Sequence, residues 1–172
     1  MTKWPNISNT VLAGFISGTG DVAAQLIEIS EDPTTPIYWT RTIYVTGFGL
    51  LTGAPSIQWF RLLDRWATAS AAPSAVLRKV LLNQLIFSPA MTASFFIYIN
   101  ACQHAYSGWP RVREEAARTL RNEFLPSMVA SSFYWPVVQA LNFTLVPIHL
   151  RAVWNSFFAA GWNCFVSYRG HR

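Results

Sequence analysis

The chain has 172 residues, of which 52% are hydrophobic and 12% are charged, and its formal net charge is +5. Soluble domains carry charge on about 25% of their residues, so this composition excludes an ordinary water-soluble globular protein. The basic residues are scattered in short polar stretches and form no continuous stripe, so nucleic acid is not an expected partner. The expected partner is a lipid bilayer.

Long runs without Asp, Glu, Lys or Arg predict the membrane-spanning helices. In chain order, these uncharged runs cover residues 4–20, 42–60, 80–110, 124–150 and 152–168. One crossing of the hydrocarbon layer takes about 20 apolar residues. The sequence therefore predicts four spans, at about 8–28, 42–61, 80–101 and somewhere within 127–168.

The last apolar region is long enough to cross the bilayer once with residues to spare, or twice. Pro147 biases Val146 away from helical geometry, so a helix is expected to end there and another to begin near His149. Either a kinked span with an interfacial helix or two short spans fits this pattern.

The charged segment Arg111–Glu123 predicts a water-exposed or interfacial helix, in which Glu114 and Arg118 have the favourable i, i+4 spacing. The predicted fold class is therefore all-α. We expect a polytopic transmembrane helical bundle with four or five spans plus an interfacial helix, forming a single integral membrane domain over residues 1–172.

Glycines in the first two predicted spans indicate close helix packing. Gly14 and Gly18 form one G-x-x-x-G, and Gly49 and Gly53 repeat the spacing. Small residues four positions apart let two helices approach closely in lipid. Packing within one chain is the favoured interpretation because a multi-span bundle already offers partners, and a homo-oligomer is the alternative.

Polar side chains in otherwise apolar surroundings are the candidate functional residues. They are Asp21, Gln25, Gln84, Gln139, Asn142, Arg151 and Asn163. An unsatisfied amide in hydrocarbon costs several kcal/mol, so these groups either join helices or line a water-filled path. We expect Arg151 to pair with Asp21 or to cap backbone carbonyls near the kink at Pro147.

No catalytic or metal-binding pattern is evident. Cys102 and Cys164 are too isolated to predict a disulfide framework or a zinc site. Cys102 with His104, and His149 with Arg151, lack the third, orienting group that an activated nucleophile needs. We expect no cofactor, no metal and no enzymatic activity.

The C-terminal part of the sequence resembles a known family signature. The matching residues are Trp135-Pro136-x-x-Gln139-x-x-Asn142-Phe143-x-x-Val146-Pro147-x-x-x-Arg151, followed by Trp162-Asn163. This pattern strongly resembles the family named for the peroxisomal membrane protein twenty-two and the mitochondrial inner-membrane protein Mpv-seventeen. Upstream, Gly18-x-Gly20-Asp21-x-x-x-Gln25 and Lys79 through Gln84 are similar to further elements of that family. The family often has Asp where this chain has Asn83, which removes a carboxylate.

The resemblance implies a small polytopic protein of an organellar membrane, in the inner mitochondrial membrane rather than the peroxisomal one. It also implies a channel-like protein involved in mitochondrial or peroxisomal membrane homeostasis. No member of the family is firmly an enzyme. The predicted function is to pass small solutes or ions. The alternative is a membrane scaffold that does not transport and that binds partner proteins or lipids.

Overall fold

The computed structural model describes residues 4–67 and 71–170, with side chains described over 7–67 and 71–162. All regular structure in these residues is helical, which confirms the all-α prediction. The helices are α1 (Trp4–Glu31), α2 (Trp39–Trp66), α3 (Pro73–Leu82), α4 (Ser88–His104), α5 (Trp109–Leu145) and α6 (Arg151–Gly170).

The described residues divide into two compact units. Unit 1 lies within Met1–Arg61 and Val146–Arg172, and it contains α1, most of α2, and α6. In unit 1, α1 packs along α6. Unit 2 lies within Leu62–Leu145, and in it α3 and α4 pack on α5.

A π-helical turn, Asn83–Phe87, joins α3 to α4 without a break in the helix. Its position has a local cause, because Pro89 follows in the first turn of α4 and has no N–H to donate to the preceding turn. Membrane helices accommodate proline by such local changes in hydrogen bonding. The wider turn carries the polar residues Asn83 and Gln84.

Helix α5 has 37 residues, so it is about 55 Å long, and it is longer than the hydrocarbon layer is thick. The charged segment Arg111–Glu123 is helical, as predicted, and it continues without interruption into the apolar part of α5. Gly108, with φ of 85°, makes the turn that reverses the chain before α5, a conformation that residues with a Cβ rarely adopt.

The break near Pro147 lies where the sequence predicts it. Helix α5 ends at Leu145 and α6 begins at Arg151, so two helices occupy the last apolar region. In the loop between α1 and α2, the Thr34 hydroxyl donates to the Asp32 carboxylate at 2.6 Å and the Thr34 N–H donates at 3.0 Å. These hydrogen bonds lower the pKa of Asp32.

By length and composition, two helical segments of the described chain could cross a membrane, Ile7–Glu31 and Pro73–Ser107. The predicted number of four or five spans stays a prediction. Large apolar side chains are exposed on every long helix, including Phe15, Leu85 and Phe133, the last of which is 80% exposed. Such surfaces are unfavourable in water and suit contact with lipid.

Candidate functional site

The buried carboxylate of Asp21 in α1 is the centre of a polar cluster in unit 1. One oxygen, Oδ1, accepts from Arg41 Nε at 2.7 Å. The other, Oδ2, accepts from Gln25 Nε2 at 2.8 Å and from the Thr42 hydroxyl at 2.7 Å. Asp21 is only 2% exposed, so this pairing compensates for its burial.

Arg41 also joins this cluster to a second carboxylate. Its NH1 and NH2 groups donate to Glu28 over 3.0–3.2 Å, in a bidentate contact. Gln25 completes the arrangement, because its Oε1 accepts from the backbone N–H of Tyr38 at 2.6 Å. These contacts tie the end of α1 to the start of α2. We call Asp21, Gln25, Glu28, Arg41 and Thr42 the α1–α2 clasp.

The four glycines of the two G-x-x-x-G patterns lie where α1 meets α2. A Cβ placed on Gly49 would lie 2.6 Å from Ser17 Oγ and 3.0 Å from Gly14 Cα. A Cβ on Gly18 would collide with the Thr46 hydroxyl. The spacing therefore serves close packing of helices within this chain.

We expect Gly53→Ala to lower the free energy of unfolding by about 2 kcal/mol, because overpacking typically costs 1–3 kcal/mol. The new methyl group would lie 2.9 Å from the backbone Cα of Thr10, which cannot move aside as a flexible side chain can. Equilibrium unfolding in mixed detergent micelles, followed by circular dichroism, measures the change. Ala54→Val, one position along on an exposed face, is the matched control and should change stability little. Equal losses in the two variants would contradict the packing argument.

Arg151 lies at the start of α6, where its Nε donates to the backbone carbonyl of Val146 at 3.1 Å. This is the carbonyl-capping arrangement given above as an alternative, whereas the ion pair of Asp21 is formed with Arg41. Asn9 of α1 donates to the carbonyl of His149 at 2.6 Å. Both contacts satisfy carbonyls that the break between α5 and α6 leaves outside a helix.

Unit 2 contains a second buried ion pair. Lys79 Nζ lies 2.7 Å from Asp64 Oδ1, and the Lys79 side chain is 0% exposed. The same ammonium lies 5.7 Å from the centre of the Phe143 ring, within range of a cation–π interaction. A fully buried lysine requires such partners, because an isolated ammonium is very costly in an apolar environment.

The amides next to this pair include an acceptor without a partner. Asn142 Nδ2 donates to Gln139 Oε1 at 3.0 Å, one turn away on α5. Asn142 is completely buried, yet its Oδ1 has no hydrogen-bond partner in the described part of the chain. An orphaned buried acceptor costs about 1–3 kcal/mol, so a donor from outside the chain would be favourable there.

A second orphaned acceptor lies at the π-helical turn. Gln84 Nε2 donates to Ser132 Oγ at 3.1 Å and to Ser131 Oγ at 3.4 Å. Its Oε1 is buried and, among the described residues, has no hydrogen-bond partner. Further along the α4–α5 contact, Asn100 Nδ2 donates to Thr119 Oγ1 at 3.1 Å. Polar groups therefore recur along the face where α5 meets α3 and α4.

The structure divides the predicted polar residues between the units. Asp21, Gln25 and Arg151 lie in unit 1, whereas Gln84, Gln139 and Asn142 lie in unit 2. Asn163 lies outside the side chains that the structure describes. Of the signature residues, Phe143 is buried against Lys79, and Pro147 lies in the loop between α5 and α6. Trp135, Pro136 and Trp162 are partly buried, and the Trp135 ring packs edge-on against Tyr134.

Sequence analysis missed the two basic residues that carry the buried ion pairs. Arg41 and Lys79 lie just outside the predicted spans 42–61 and 80–101, so a search for polar residues within the spans does not find them. One signal was available for Lys79: it is four residues before Asn83 and thus shares a helical face with a buried polar residue. Within the described residues, no group of three or more His, Cys, Asp or Glu side chains is arranged to hold a metal ion.

Comparison with known proteins supports the resemblance. The model of the Mpv17 / PMP22 family matches residues 111–167. "Mitochondrial inner membrane protein Mpv17" of Xenopus laevis is 30% identical over 94% of this chain and 88% of its own length. The protein of the same name in Caenorhabditis elegans is 29% identical over 95% of this chain and 85% of its own length. "Protein SYM1" of Debaryomyces hansenii is 27% identical, covering 97% of this chain and 83% of its own length.

No solved structure matches the chain significantly. The similarity to curated relatives nevertheless extends over nearly all of it, and several of them are named as mitochondrial inner membrane proteins. The chain therefore belongs to the Mpv17 / PMP22 family and is an integral protein of the inner mitochondrial membrane.

Proposed function

We propose that the protein passes small solutes or ions across the inner mitochondrial membrane, and that polar residues of unit 2 contact the permeating species. The observation that carries this proposal is the buried, unpartnered Oδ1 of Asn142, supported by Gln84 Oε1. In a helical bundle that is only a scaffold, buried amides are expected to satisfy one another, because nothing else is available in hydrocarbon. An acceptor left open suits a donor that enters and leaves, such as water or a polar solute.

The contrast between the two units supports this proposal. In the α1–α2 clasp, both carboxylate oxygens of Asp21 and both ends of the Gln25 amide are hydrogen-bonded within the chain. That is the pattern of groups that hold helices together. In unit 2, by contrast, Asn142 and Gln84 each keep an acceptor open, and the same unit contains a lysine that is completely buried. Charged and polar groups of this kind are those that line paths for solutes.

The alternative is a membrane scaffold that does not transport and that binds partner proteins or lipids. The saturated clasp and the tight glycine contacts favour it, since they hold α1 against α2 and, among the described residues, neither helix has a buried side-chain acceptor without a partner. Neither proposal includes an enzymatic reaction.

Single-channel recording of the purified protein in planar bilayers tests transport directly. We expect discrete conductance steps from the wild type and steps at least several-fold smaller from Asn142→Leu, which removes the open acceptor at similar volume. Asn142→Leu also removes the hydrogen bond from Asn142 Nδ2 to Gln139 Oε1, so the stability should fall by about 1–3 kcal/mol. Circular dichroism of the reconstituted variant therefore separates a loss of conduction from unfolding.

Thr144→Val is the matched control, since Thr144 lies two positions along α5 and its exposed hydroxyl bonds only to the backbone carbonyl of Ala140. This variant should conduct like the wild type. Conductance steps of unchanged size in Asn142→Leu would show that Asn142 does not line the path of the permeating species. A silent bilayer with folded, inserted wild-type protein would reject transport and favour the scaffold.

A further inference from the structure

We propose that Arg118 and Arg121 of α5 bind the phosphate group of an anionic phospholipid at one face of the membrane. This inference concerns the surface of unit 2 and holds whether or not the protein conducts. Two features support it: the expected position of the hydrocarbon layer on α5, and the location of the two arginines just beyond the border of that layer.

The expected position of the hydrocarbon layer on α5 follows from an exposed apolar stripe. Every fourth residue from Leu125 onward is large, apolar and exposed: Leu125, Val129, Phe133, Val137, Leu141 and Leu145. Residues four apart are offset by only about 40° around a helix, so successive members of this series adjoin and the stripe winds around α5. At 1.5 Å per residue, the stripe from Leu125 to Leu145 is about 30 Å long, which equals the typical thickness of the hydrocarbon layer.

The neighbouring helices of unit 2 give the same borders independently. Exposed apolar side chains on α3, the π-helical turn and α4 run from Leu77 through Leu81 and Leu85 to Ile97, again about 30 Å. These helices pack on α5 in the antiparallel sense, because Lys79 contacts Phe143 while Asn100 contacts Thr119. Leu77 therefore lies level with the Leu145 end, and Ile97 with the Leu125 end.

Two arginines follow the stripe directly beyond Leu125. Arg121 is about 6 Å and Arg118 about 10 Å beyond Leu125 along the helix axis, on the same helical face. The polar headgroup layer on each side of the hydrocarbon is about 5–8 Å thick. Helical side chains lean toward the N-terminus of their helix, which here points away from the hydrocarbon. Both guanidinium groups are therefore directed into or across the headgroup layer.

The chain itself leaves these charges available. Arg121 forms no ion pair within the described residues. Arg118 is 74% exposed and lies 3.9 Å from Glu115, whose closer contact, at 2.7 Å, is with Arg111. Glu123 is two positions after Arg121, on the opposite side of the helix. Guanidinium groups bind phosphate with good geometry, and juxtamembrane basic residues are attracted to anionic lipid.

A phospholipid is the occupant that this surface favours because the arginines continue a lipid-facing stripe without interruption. A lipid whose chains lie along Leu125, Val129 and Phe133 would have its phosphate at the height of Arg121 and Arg118. An acidic segment of another protein would have to displace lipid from that stripe to reach the same position.

The test uses full-length protein reconstituted in vesicles with equal amounts of phosphatidylcholine and phosphatidylglycerol. After extraction in mild detergent, native mass spectrometry counts the lipids retained by each protein molecule. We expect the wild type to retain phosphatidylglycerol in preference to phosphatidylcholine. Each arginine near an anionic surface contributes roughly a factor of five, so Arg118→Gln with Arg121→Gln should reduce the preference about tenfold or more.

Arg113→Gln is the matched control, because Arg113 is also an exposed arginine of α5 but lies about 18 Å beyond Leu125, outside the headgroup layer. It should keep the wild-type preference within about twofold, since its distance exceeds a Debye length of about 8 Å. All three side chains are exposed, so the variants should fold, and circular dichroism checks this. An unchanged preference in the double variant, an equal loss in Arg113→Gln, or equal retention of both lipids by the wild type would each overturn the proposal. Retention of phosphatidylglycerol by a protein that does not conduct would uphold it and reject the transport proposal alone.

Discussion

Replacing Arg41 by Gln is expected to lower the free energy of unfolding by about 3 kcal/mol, the typical cost of removing one partner from a buried ion pair. Arg41 compensates two carboxylates at once, Asp21 at 2.7 Å and Glu28 at 3.0 Å. The side chain of Asp21 is 3% exposed and that of Arg41 is 28% exposed, so water reaches this ion pair only from the arginine side. Equilibrium unfolding in mixed detergent micelles, followed by circular dichroism, measures the loss.

Two further variants make the result specific to the clasp. Arg41→Lys keeps the charge but cannot reproduce the fork geometry that binds Glu28 and Asp21 together, so its loss should be intermediate. Arg113→Gln removes an exposed arginine that has no ion pair in the described chain, and it should change stability by less than about 0.5 kcal/mol. If Arg41→Gln were as stable as that control, the clasp would contribute nothing measurable to the fold.

Much of the fold follows from short-range features of the sequence. Uncharged runs predict helices because charge is costly in lipid, and the break after α5 follows from the restriction that Pro147 places on Val146. The glycine spacing indicates close packing because it depends only on residues four apart on one helix. The π-helical turn at Asn83–Phe87 is less predictable, since other prolines, including Pro126 and Pro136, lie inside α5 without one.

Pairings between helices depend on register and could not be derived from the sequence. Asp21 is twenty residues from Arg41 in the chain. The sequence instead suggests Arg151 as a partner, because Asp21 and Arg151 are both charged residues in apolar surroundings. Which arginine meets the carboxylate depends on how α2 returns past α1, which is fixed by the loop between them. In the same way, no local pattern distinguishes the saturated amide of Gln25 from the open acceptor of Asn142.

The largest functional effect is expected from the buried pair of unit 2. Lys79→Met should destabilise the protein by about 3 kcal/mol, because it leaves the Asp64 carboxylate without its ammonium partner. Asp64→Leu should have a similar cost, since it leaves the lysine buried without its carboxylate. The double variant should recover to within about 1 kcal/mol of the wild type, because apolar replacement of a buried ion pair is often neutral. The same unfolding measurement, applied as a double-mutant cycle, gives the coupling.

The double variant separates a structural role for the pair from a role in transport. It is expected to fold, and if the charges served only to hold α2 and α3 together it would also conduct like the wild type. We expect it instead to lose conductance several-fold or to change ion selectivity, because charges in a low-dielectric path control which species enter. Arg78→Met is the matched control, because Arg78 is the exposed residue preceding Lys79. This variant should keep the conductance and the ion selectivity of the wild type. Normal conductance in a stable double variant would assign Lys79 and Asp64 to the fold alone.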